Sequence, residues 1–408
     1  MKTLYLCYFG LREPLVQTQV LPYLRELASV DVQVFLLTFE PHMSERWLAQ
    51  DFADEKARLS DQGIQWSALP YHKSPSIPAT LFDIVAGSVA AVRLARRQGI
   101  QVLHARAHIP MAMALMAARI TRSALIFDIR GLMADEYVDA GVWTENSLIF
   151  RAIKKLEKIG IVKADQLVVL TEAMKQWLFG QGLLRKDNVE VIPCCVDFQH
   201  YSHGASDADD LFEVVYAGSV TGLYLLDEMA TFFLELKKRE PRSFFRILTT
   251  SSPIEASERL VRAGIRPQDF CIGSVPPQQV PSYLQRARLG LSFRKPTFSQ
   301  IAASPTKIAE YLAAGLPIVS NAGVGDVDKL LEVNSVGVVV RDFFATELAR
   351  AADAALALAN DARTRRRCVE VGRVHFDLHT VGGNRYSNVY RRIANDCKRR
   401  AAKQNIVK

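Results

Sequence analysis

The sequence predicts an α/β protein made of two Rossmann-like domains, each a parallel sheet covered by helices. Strand and helix signals alternate along the whole chain, which is typical of layered α/β folds. The chain has 408 residues, 49% of them hydrophobic, which is enough for two cores. A small, polar stretch at 202–207 separates two series of strands. The predicted parts are a first domain at 1–198, a linker at 199–210, a second domain at 211–380, and C-terminal helices with a basic tail at 381–408 that pack back towards the first domain.

The strands are expected where short apolar runs are bounded by turn residues. In the first half they fall at 2–8, 32–38, 64–68, 102–105, 124–128, 167–170 and 189–192. In the second half they fall at 213–216, 245–249, 270–273, 289–293, 317–320 and 337–340. A loop at Gly10 and a helix at 18–28 follow the first strand, and the apolar stretch 109–118 is expected to be a buried helix. Two such domains facing each other would form a deep cleft, with ligands at the carboxyl ends of the strands.

The net charge of +8 is moderate for this length, and basic residues concentrate in two places. One is the last helix with its tail, which carries Arg391, Arg392, Lys398, Arg399, Arg400, Lys403 and Lys408. The other is a helix that alternates basic with apolar residues, and its basic residues are Arg151, Lys154, Lys155, Lys158 and Lys163. Both patterns are typical of solvated helix faces, and the alternative for each is a peripheral contact with anionic lipid headgroups. Nucleic acid is disfavoured as a partner, because aromatic residues are not interleaved with the tail's basic residues.

The cysteines show no metal-binding or disulfide spacing, so a reduced, cytoplasmic protein is expected. The first residues lack the apolar core and cleavage site of a signal peptide, and they are expected to form a strand. No run is expected to reach the ~18 apolar residues of a membrane span. The predicted location is therefore the cytoplasm, with peripheral attachment to the inner face of the cytoplasmic membrane as the alternative.

The most informative segment, at 304–321, predicts a helix followed by a buried strand. Ser304 is expected to be the N-cap, Pro305 the first helical residue, and Gly315 the end of the helix. Three polar residues then share the N-terminal face: Thr306, Lys307 and Glu310. A helix N-terminus with a hydroxyl and an ammonium suits a phosphate, and a carboxylate one turn deeper suits a ribose diol. The segment therefore predicts a nucleotide-diphosphate cradle. The alternatives are dipole capping by Glu310 and a solvated Lys307.

Several motifs resemble one enzyme family. The run E-Y-L-A-A-G-L-P at 310–317, with Gly325, L-L-E at 330–332 and Gly337, resembles the signature of retaining GT-B glycosyltransferases of glycosyltransferase family 4. The runs I-P-C-C-V-D at 192–197, Y-A-G-S at 216–219 and L-T-E at 170–172 are similar to other elements of that family. The stretches 14–24 and 127–131, with Glu136, look like a bacterial branch found in surface polysaccharide and lipid-linked glycan assembly.

The resemblance implies a GT-B fold and sugar transfer from a nucleotide-diphosphate sugar to a hydroxyl of a glycan or lipid-linked acceptor. It also implies retention at the anomeric carbon. No cofactor and no essential metal are expected, because no Asp-x-Asp pattern that would hold a divalent ion is placed at a donor-site strand end. The chain departs from the family in three places. Ala302 stands where a Glu is frequent, Arg130 stands where many relatives carry a His, and the loop after Gly218 lacks the usual Arg and Lys. Arg294 and Lys295, at the end of a strand, are candidate substitutes for the missing cations; the alternative is that they are ordinary strand-end charges.

The candidate residues form a donor set and an acceptor set. The donor set is Glu310, Lys307, Thr306, Ser304, Arg294, Lys295, Gly218 and Ser219. The acceptor set has Asp128, Arg130 and Glu136 as catalytic candidates, with Gly10 and His108 on the acceptor side. A structural ion-pair cluster is the alternative for Asp128, Arg130 and Glu136, and a plain loop position is the alternative for His108. Gly10 is expected to allow a positive φ or a close backbone approach.

Two other functions remain open at this stage. A sugar-nucleotide epimerase of the same fold would need only the nucleotide sugar. A non-catalytic partner subunit would bind a nucleotide without turnover, and Ala302 with the missing loop cations supports it.

Overall fold

The computed structural model describes residues 1–184, 188–201 and 211–406. The described residues fall into two compact units. The first unit is Met1–Ala134, Thr144–Ile192 and Gly382–Lys408, and the second is Asp135–Trp143 and Pro193–Val381. Most of the expected linker, 202–210, lies outside the described residues.

The first unit contains a seven-stranded sheet in which every neighbouring pair is parallel. Its strands are β1 (Lys2–Cys7), β2 (Gln33–Pro41), β3 (Ile64–Tyr71), β4 (Val102–Arg106), β5 (Ala124–Asp128), β6 (Gln166–Val169) and β7 (Val189–Val191). The strand order is β3-β2-β1-β4-β5-β6-β7. The order reverses between β1 and β4, which makes their carboxyl ends the topological switch point of this sheet.

The second unit repeats this architecture with a six-stranded parallel sheet. Its strands are β8 (Phe212–Ala217), β9 (Ser243–Leu248), β10 (Phe270–Gly273), β11 (Leu289–Ser292), β12 (Ile318–Asn321) and β13 (Gly337–Val340). The order is β10-β9-β8-β11-β12-β13, so the switch point lies between β8 and β11. The core contains Phe233 stacked on Phe245, with ring centroids 5.2 Å apart, and Val214 and Leu291 are fully buried.

Helices alternate with the strands in both units. In the first half they are α1 (Pro14–Gln19), α2 (Leu21–Ala28), α3 (Met43–Arg46), α4 (Ala49–Asp61), α5 (Ser76–Gln98), α6 (His108–Thr121), α7 (Met133–Asp139), α8 (Leu148–Lys163) and α9 (Glu172–Gly180). In the second half they are α10 (Leu226–Arg239), α11 (Pro253–Arg262), α12 (Val280–Arg286), α13 (Thr306–Ala313), α14 (Val327–Asn334), α15 (Ala345–Asn360), α16 (Thr364–Phe376) and α17 (Asn384–Ile406). Short 3₁₀ segments lie at Phe198–Tyr201, Pro267–Asp269, Pro277–Gln279 and Phe298–Ala302, and a π-helical turn at Leu378–Gly383.

The predicted α/β fold with two parallel sheets is confirmed, and each predicted strand is present within a few residues of its expected bounds. The buried helix expected at 109–118 is α6, where Met111, Met113 and Ala114 are fully buried. The single helix expected at 18–28 is wrong. The chain forms α1 and α2 with a break at Val20, because Pro22 occupies the first turn of α2 and cannot continue the hydrogen bonding of α1.

The expectation that no segment is long and apolar enough to span a membrane is also wrong. By length and composition α5 meets that criterion. Only 28% of its most apolar 18-residue stretch is buried inside the protein. The segment contains many small residues, so it does not read as an uninterrupted run of large apolar side chains. One such helix is weak evidence for a membrane span, because core helices of soluble proteins meet the same criterion.

Candidate functional site

The donor-set residues meet at the switch point of the second sheet. Gly218 and Ser219 directly follow β8, while Arg294 and Lys295 follow β11 after one intervening residue. The helix α13 runs from β11 towards β12, so its N-terminus lies at the same edge. Tyr311 of α13 ties the two strands together, since its hydroxyl accepts a hydrogen bond from the backbone N–H of Ala217 at 2.9 Å and donates to the carbonyl oxygen of Leu291 at 3.2 Å.

The side chain of Lys307 is buried next to two tyrosine rings. Its ammonium nitrogen lies 4.2 Å from the ring centroid of Tyr216 and 4.3 Å from that of Tyr224, and it donates to the Tyr216 hydroxyl at 3.1 Å. Burial lowers the pKa of Lys307 well below its ordinary value, and the nearby Arg294 guanidinium acts in the same direction. Among the described residues, no carboxylate lies within ion-pair distance of this ammonium. A cation this poorly compensated favours an anionic ligand.

Gly218 lets the loop after β8 approach this ammonium. Its φ is +143°, a conformation that side chains rarely adopt. A Cβ at this position would lie 2.8 Å from the Lys307 Nζ. Ser219 is half-buried, and its Oγ lies 3.2 Å from the Thr221 Oγ1. The glycine therefore keeps the space above Lys307 open for a ligand.

Arg294 is held in place and Lys295 is not. The backbone N–H of Arg294 donates to the Asn321 Oδ1 at 2.7 Å, its Nε donates to the Gln300 Oε1 at 2.6 Å, and its Nη1 reaches the Tyr224 hydroxyl at 3.3 Å. The side chain of Lys295 makes no hydrogen bond or ion pair within the part of the chain that the structure describes. Tyr224 therefore connects Arg294 to Lys307, which gives the site two neighbouring cations.

The expected N-cap of the cradle helix is wrong. The helix α13 begins at Thr306, and Pro305, with extended backbone angles, takes the cap position without a side-chain cap. The Ser304 hydroxyl instead accepts a hydrogen bond from the backbone N–H of Cys194 at 3.1 Å. The residue before a proline is pushed out of the helical region, which explains why the helix starts after the proline. The Ile308 N–H donates to the Pro305 carbonyl oxygen, and the N–H groups of Thr306 and Lys307 remain available to a ligand.

Glu310 lies one turn into α13 and is half-buried. Burial raises its pKa from the ordinary 4.5 to about 7, and Lys307 only partly opposes this effect. Its carboxyl group makes no hydrogen bond or ion pair to any residue in the described ranges. Glu310 lies beyond the first turn of the helix, which disfavours the alternative that it caps the dipole. Tyr201 is a neighbour, since Glu310 contributes to the raised pKa of its phenol after burial.

Sequence reasoning missed several residues that complete this site: Tyr216, Tyr224, Gln300, Asn321 and Tyr201. A partial signal existed for two of them. Tyr216 lies inside the Y-A-G-S run, and Asn321 is a polar residue that ends a buried strand. Nothing in local sequence indicates that Tyr224 meets a lysine from a distant helix.

In the first unit, Asp128 is the centre of a buried charge cluster at the end of β5. Its Oδ2 accepts a hydrogen bond from the Tyr386 hydroxyl at 2.8 Å and lies 3.7 Å from the Arg106 Nη1, and its Oδ1 lies 3.7 Å from the Arg130 Nη1. The ring of His104 approaches Asp128 at 3.9 Å. The side chain of Asp128 is completely buried. This geometry agrees with the ion-pair alternative, while the catalytic role of Asp128 stays a prediction.

Asp128 is expected to make the fold sensitive to acid. Burial alone would raise its pKa, but Arg130, His104 and Arg106 outweigh burial and lower the pKa from 3.8 to about 2. A lowered carboxyl pKa contributes stability above the unfolded-state value, and that stability is lost as the pH falls from about 4 towards 2. We expect Asp128→Asn to lower the free energy of unfolding by about 2 kcal/mol at pH 7 and by less at pH 3. Urea unfolding at both pH values measures this; the exposed Asp61→Asn should change neither. An equal loss at both pH values would contradict the assignment.

Arg130 adopts a strained backbone. Its φ of +42° lies in the left-handed region, which is unusual for a residue with a long side chain. The Nη2 of its guanidinium points towards the Gln19 Oε1 at 3.5 Å. Strain of this kind persists where the surroundings fix it, and it is enriched at functional sites. Because of this strained backbone, Arg130 remains a stronger acceptor-side candidate than Asp128.

The three catalytic candidates are not all in one unit. Asp128 and Arg130 belong to the first unit, whereas Glu136 is half-buried in the segment Asp135–Trp143 of the second. Within that segment Asp139 accepts a hydrogen bond from the backbone N–H of Ser299 at 3.2 Å. Ser299 lies in the 3₁₀ segment that follows Arg294 and Lys295. Glu136 is thus part of the unit that carries the donor set.

The two remaining acceptor-side candidates have structural explanations. Gly10 has no positive φ, but a Cβ there would lie 2.8 Å from the Pro41 Cδ and 3.0 Å from the Glu40 Oε2, so it satisfies the close-approach expectation. The alternative of a loop position for His108 is wrong: it is the first residue of α6 and fully buried, with its Nε2 3.0 Å from the Glu157 Oε2. Ala107, at φ +66°, turns the chain directly from β4 into this helix. Among the described residues, no group of three or more His, Cys, Asp or Glu side chains is arranged to hold a metal ion.

Comparison with known proteins agrees with this architecture. Residues 16–200 match the family model described as Glycosyltransferase Family 4. A sucrose-phosphate synthase from Thermosynechococcus elongatus is similar in structure, with a TM-score of 0.73, 14% identity, and coverage of 97% of this chain and 100% of that one. A glycosyltransferase from Rickettsia africae gives a TM-score of 0.69 at 12% identity, covering 96% and 98%. The Anabaena protein HepE, solved with UDP and glucose, gives 0.65 at 15% identity, covering 96% and 99%.

These similarities define the class of fold. The two parallel sheets with alternating helices match the GT-B architecture of the similar structures, and the family match together with them supports a glycosyltransferase. At such low identity the structural similarity itself shows only the fold. No curated protein matches this chain significantly in sequence.

Proposed function

We propose that this protein transfers a sugar from a nucleotide-diphosphate sugar to a hydroxyl group, with retention at the anomeric carbon and without an essential metal. The observation that carries the proposal is the buried Lys307 ammonium under the Gly218 loop, with Arg294 beside it and the unpaired Glu310 carboxyl one turn away. The family match over 16–200 supports the reaction class.

The donor roles follow from charge. A diphosphate leaving group develops about two negative charges, which without a metal must be compensated by cations and by the N–H groups of a helix start. Lys307, Arg294 and the first turn of α13 supply both kinds of group, with Thr306 adding a hydroxyl. Glu310 would accept hydrogen bonds from the two ribose hydroxyls, since its carboxyl has no protein partner among the described residues. HepE was solved with UDP, so uridine diphosphate sugars are the first donors to consider.

The chemistry is a single group transfer. The bond between the anomeric carbon and the diphosphate oxygen breaks, and the acceptor oxygen forms a bond to that carbon on the same face. The departing phosphate oxygen takes the acceptor proton, so no strong protein base is needed. Arg130 would orient the acceptor, and the buried Asp128 would act through its ion pair with Arg130. The acceptor is proposed to be a glycan or lipid-linked sugar in surface polysaccharide or glycolipid assembly, and the protein is proposed to work in the cytoplasm.

The deciding experiment is calorimetric binding of UDP, GDP and ADP to the full-length protein. We expect one of them to bind with a Kd on the order of 10 µM, and Glu310→Ala to abolish that binding. The exposed Glu258→Ala serves as the control. Failure of all three nucleotides to bind would overturn the donor-site assignment.

Turnover then separates the remaining functions. Transfer with an unchanged anomeric configuration, observed by NMR of the product and insensitive to EDTA, would support the full proposal. Conversion of the nucleotide sugar without an acceptor would identify an epimerase. Nucleotide binding without turnover would favour a non-catalytic subunit, a function consistent with the fully buried Ala302 where relatives often carry a Glu.

A further inference from the structure

The helix α5 presents its large apolar side chains to the outside. Five of them are between 42% and 60% exposed: Ile77, Leu81, Phe82, Val85 and Val89. Four of these recur every four residues, so they form one stripe along the helix. The face turned towards the protein carries mainly small residues: Ala79, Gly87, Ser88, Ala91 and Ala95. A helix that faces water shows the opposite arrangement, with polar residues outside.

The stripe continues onto the neighbouring helix α6. Met116 and Ile120 of α6 are 48% and 56% exposed, and they lie one helical turn apart. The Ser88 hydroxyl of α5 lies 3.4 Å from the Met116 sulfur, which places Met116 against α5. We call the seven exposed side chains the α5–α6 face: Ile77, Leu81, Phe82, Val85, Val89, Met116 and Ile120. A contiguous apolar surface of this kind marks an interaction site.

Exposed arginines border the α5–α6 face at one end. Both helices run antiparallel to β4, so they end at the same edge of the sheet, where the Ser123 hydroxyl donates to the Ile100 carbonyl oxygen at 3.1 Å. The exposed arginines at that end are Arg93, Arg96, Arg97, Arg119 and Arg122. They form no ion pair within the described ranges. From residue 72 to residue 123 the only acidic residue is Asp83, which is fully buried. The rim of the face is therefore complementary to a negatively charged surface.

We propose that the α5–α6 face docks onto the surface of a bilayer that contains anionic lipids. The apolar stripe enters the boundary between headgroups and acyl chains, and the arginines contact the lipid phosphates. The α5–α6 face is distinct from the basic helices singled out in the sequence, which are α8 and the tail of α17. It provides a surface on which a transferase could meet a lipid-linked acceptor, but docking does not require the donor site.

The helix lies along the membrane and does not cross it, because its other face is part of the protein core. Asp83 accepts hydrogen bonds from the Tyr8 hydroxyl at 2.7 Å and from the backbone N–H of His72 at 3.0 Å. A Cβ on Gly87 would lie 2.9 Å from the Phe39 ring, so α5 also packs closely at its middle. A helix whose inner face is fixed near its middle, with a polar anchor, suits an interfacial position.

The test is co-sedimentation of the full-length protein with phosphatidylcholine vesicles, with and without phosphatidylglycerol. We expect binding to the anionic vesicles, and a loss of about tenfold or more in Leu81→Gln/Val85→Gln, because two apolar side chains no longer enter the bilayer. Arg96→Gln/Arg97→Gln should lower binding to anionic vesicles and its sensitivity to salt. The matched controls are Ile254→Gln and Arg262→Gln, two exposed residues of α11 in the second unit, which should bind like the wild type.

Several outcomes would overturn the proposal. One is absence of wild-type binding to either vesicle, and another is unchanged binding of the Leu81→Gln/Val85→Gln variant. A dimer in solution that the same variant dissociates would assign the face to a second copy of the chain. Urea unfolding of the same preparations shows that each variant is folded. Nucleotide binding separates the two proposals, since failure of the wild type to bind UDP, GDP and ADP would count against the transferase and not against docking.

Discussion

Lys307→Met is expected to weaken nucleoside diphosphate binding about 100-fold and to slow sugar transfer by about 100- to 1000-fold. The ammonium is buried between Tyr216 and Tyr224, under a glycine loop that leaves room for an anion. A methionine fills nearly the same volume, so the packing between the two tyrosine rings should be preserved. Loss of the Lys307 charge removes an attraction to the diphosphate, and this attraction is strong because the surroundings are desolvated. Calorimetry with UDP and a radiolabelled transfer assay measure the two effects.

The same substitution should leave the fold intact. Removing a buried, poorly compensated charge is neutral or stabilising, so the free energy of unfolding should be within about 1 kcal/mol of the wild type or above it. Lys329→Met, an exposed lysine of α14 in the same unit, is the control and should change neither binding nor stability. Lys295→Met tests whether Lys295, the cation candidate next to Arg294, also binds the diphosphate. A loss at Lys295 equal to that at Lys307 would contradict the arrangement in which Lys307 and Arg294 form the phosphate site.

The strands were predictable because buried parallel strands are short apolar runs that local sequence displays directly. The runs at 270–273 and 337–340 became β10 and β13 with identical bounds. The repeated alternation with helices then fixed the architecture, since parallel strands need crossover helices. What local sequence could not show is the sidedness of α5. Its small and large residues alternate around the helix, and only the packing against α6 and Phe39 reveals that the large ones face outward.

The candidate donor site was partly predictable, and the reason lies in which contacts are local. Thr306, Lys307 and Glu310 share one helix face, so their spacing alone predicted that they act together. The partners of Lys307 come from β8 and its following loop, about ninety residues earlier, and no spacing rule connects them. Ser304 was misassigned for the same reason, because its hydroxyl serves the distant backbone of Cys194 and not its own helix.

The segment Asp135–Trp143 shows a further limit of local reasoning. In the chain it comprises most of α7 and part of the loop before α8, both in the first half, yet its contacts belong to the second unit. Tyr137 stacks on Trp143 with ring centroids 4.3 Å apart, and Asp139 binds the backbone of Ser299. Sequence continuity placed Glu136 with Asp128 and Arg130, and the packing places it elsewhere.

Glu310→Gln is expected to stabilise the protein while it weakens nucleotide binding. Burial raises the pKa of Glu310 to about 7, so the folded protein disfavours the ionised carboxyl. An acid whose folded pKa is raised costs no stability below its unfolded pKa, and the cost grows as the pH rises from about 4.5 to about 7. At ~1.4 kcal/mol per pKa unit, the glutamine variant should unfold with a free energy about 3 kcal/mol higher at pH 8 and nearly unchanged at pH 4. Urea unfolding at the two pH values, with the exposed Glu258→Gln as control, measures the difference.

The binding effect of this variant should be specific for the ribose. A carboxylate can accept hydrogen bonds from both hydroxyls of a ribose, whereas the amide can accept with only one of its two groups. UDP should therefore bind Glu310→Gln at least about tenfold more weakly, while inorganic pyrophosphate should bind the variant and the wild type alike. Lys307→Met should weaken both ligands, so the pair of variants separates ribose recognition from phosphate recognition. If Glu310→Gln binds UDP normally and gains no stability at pH 8, the carboxyl is neither desolvated nor a ligand, and Glu310 is only a helix surface residue.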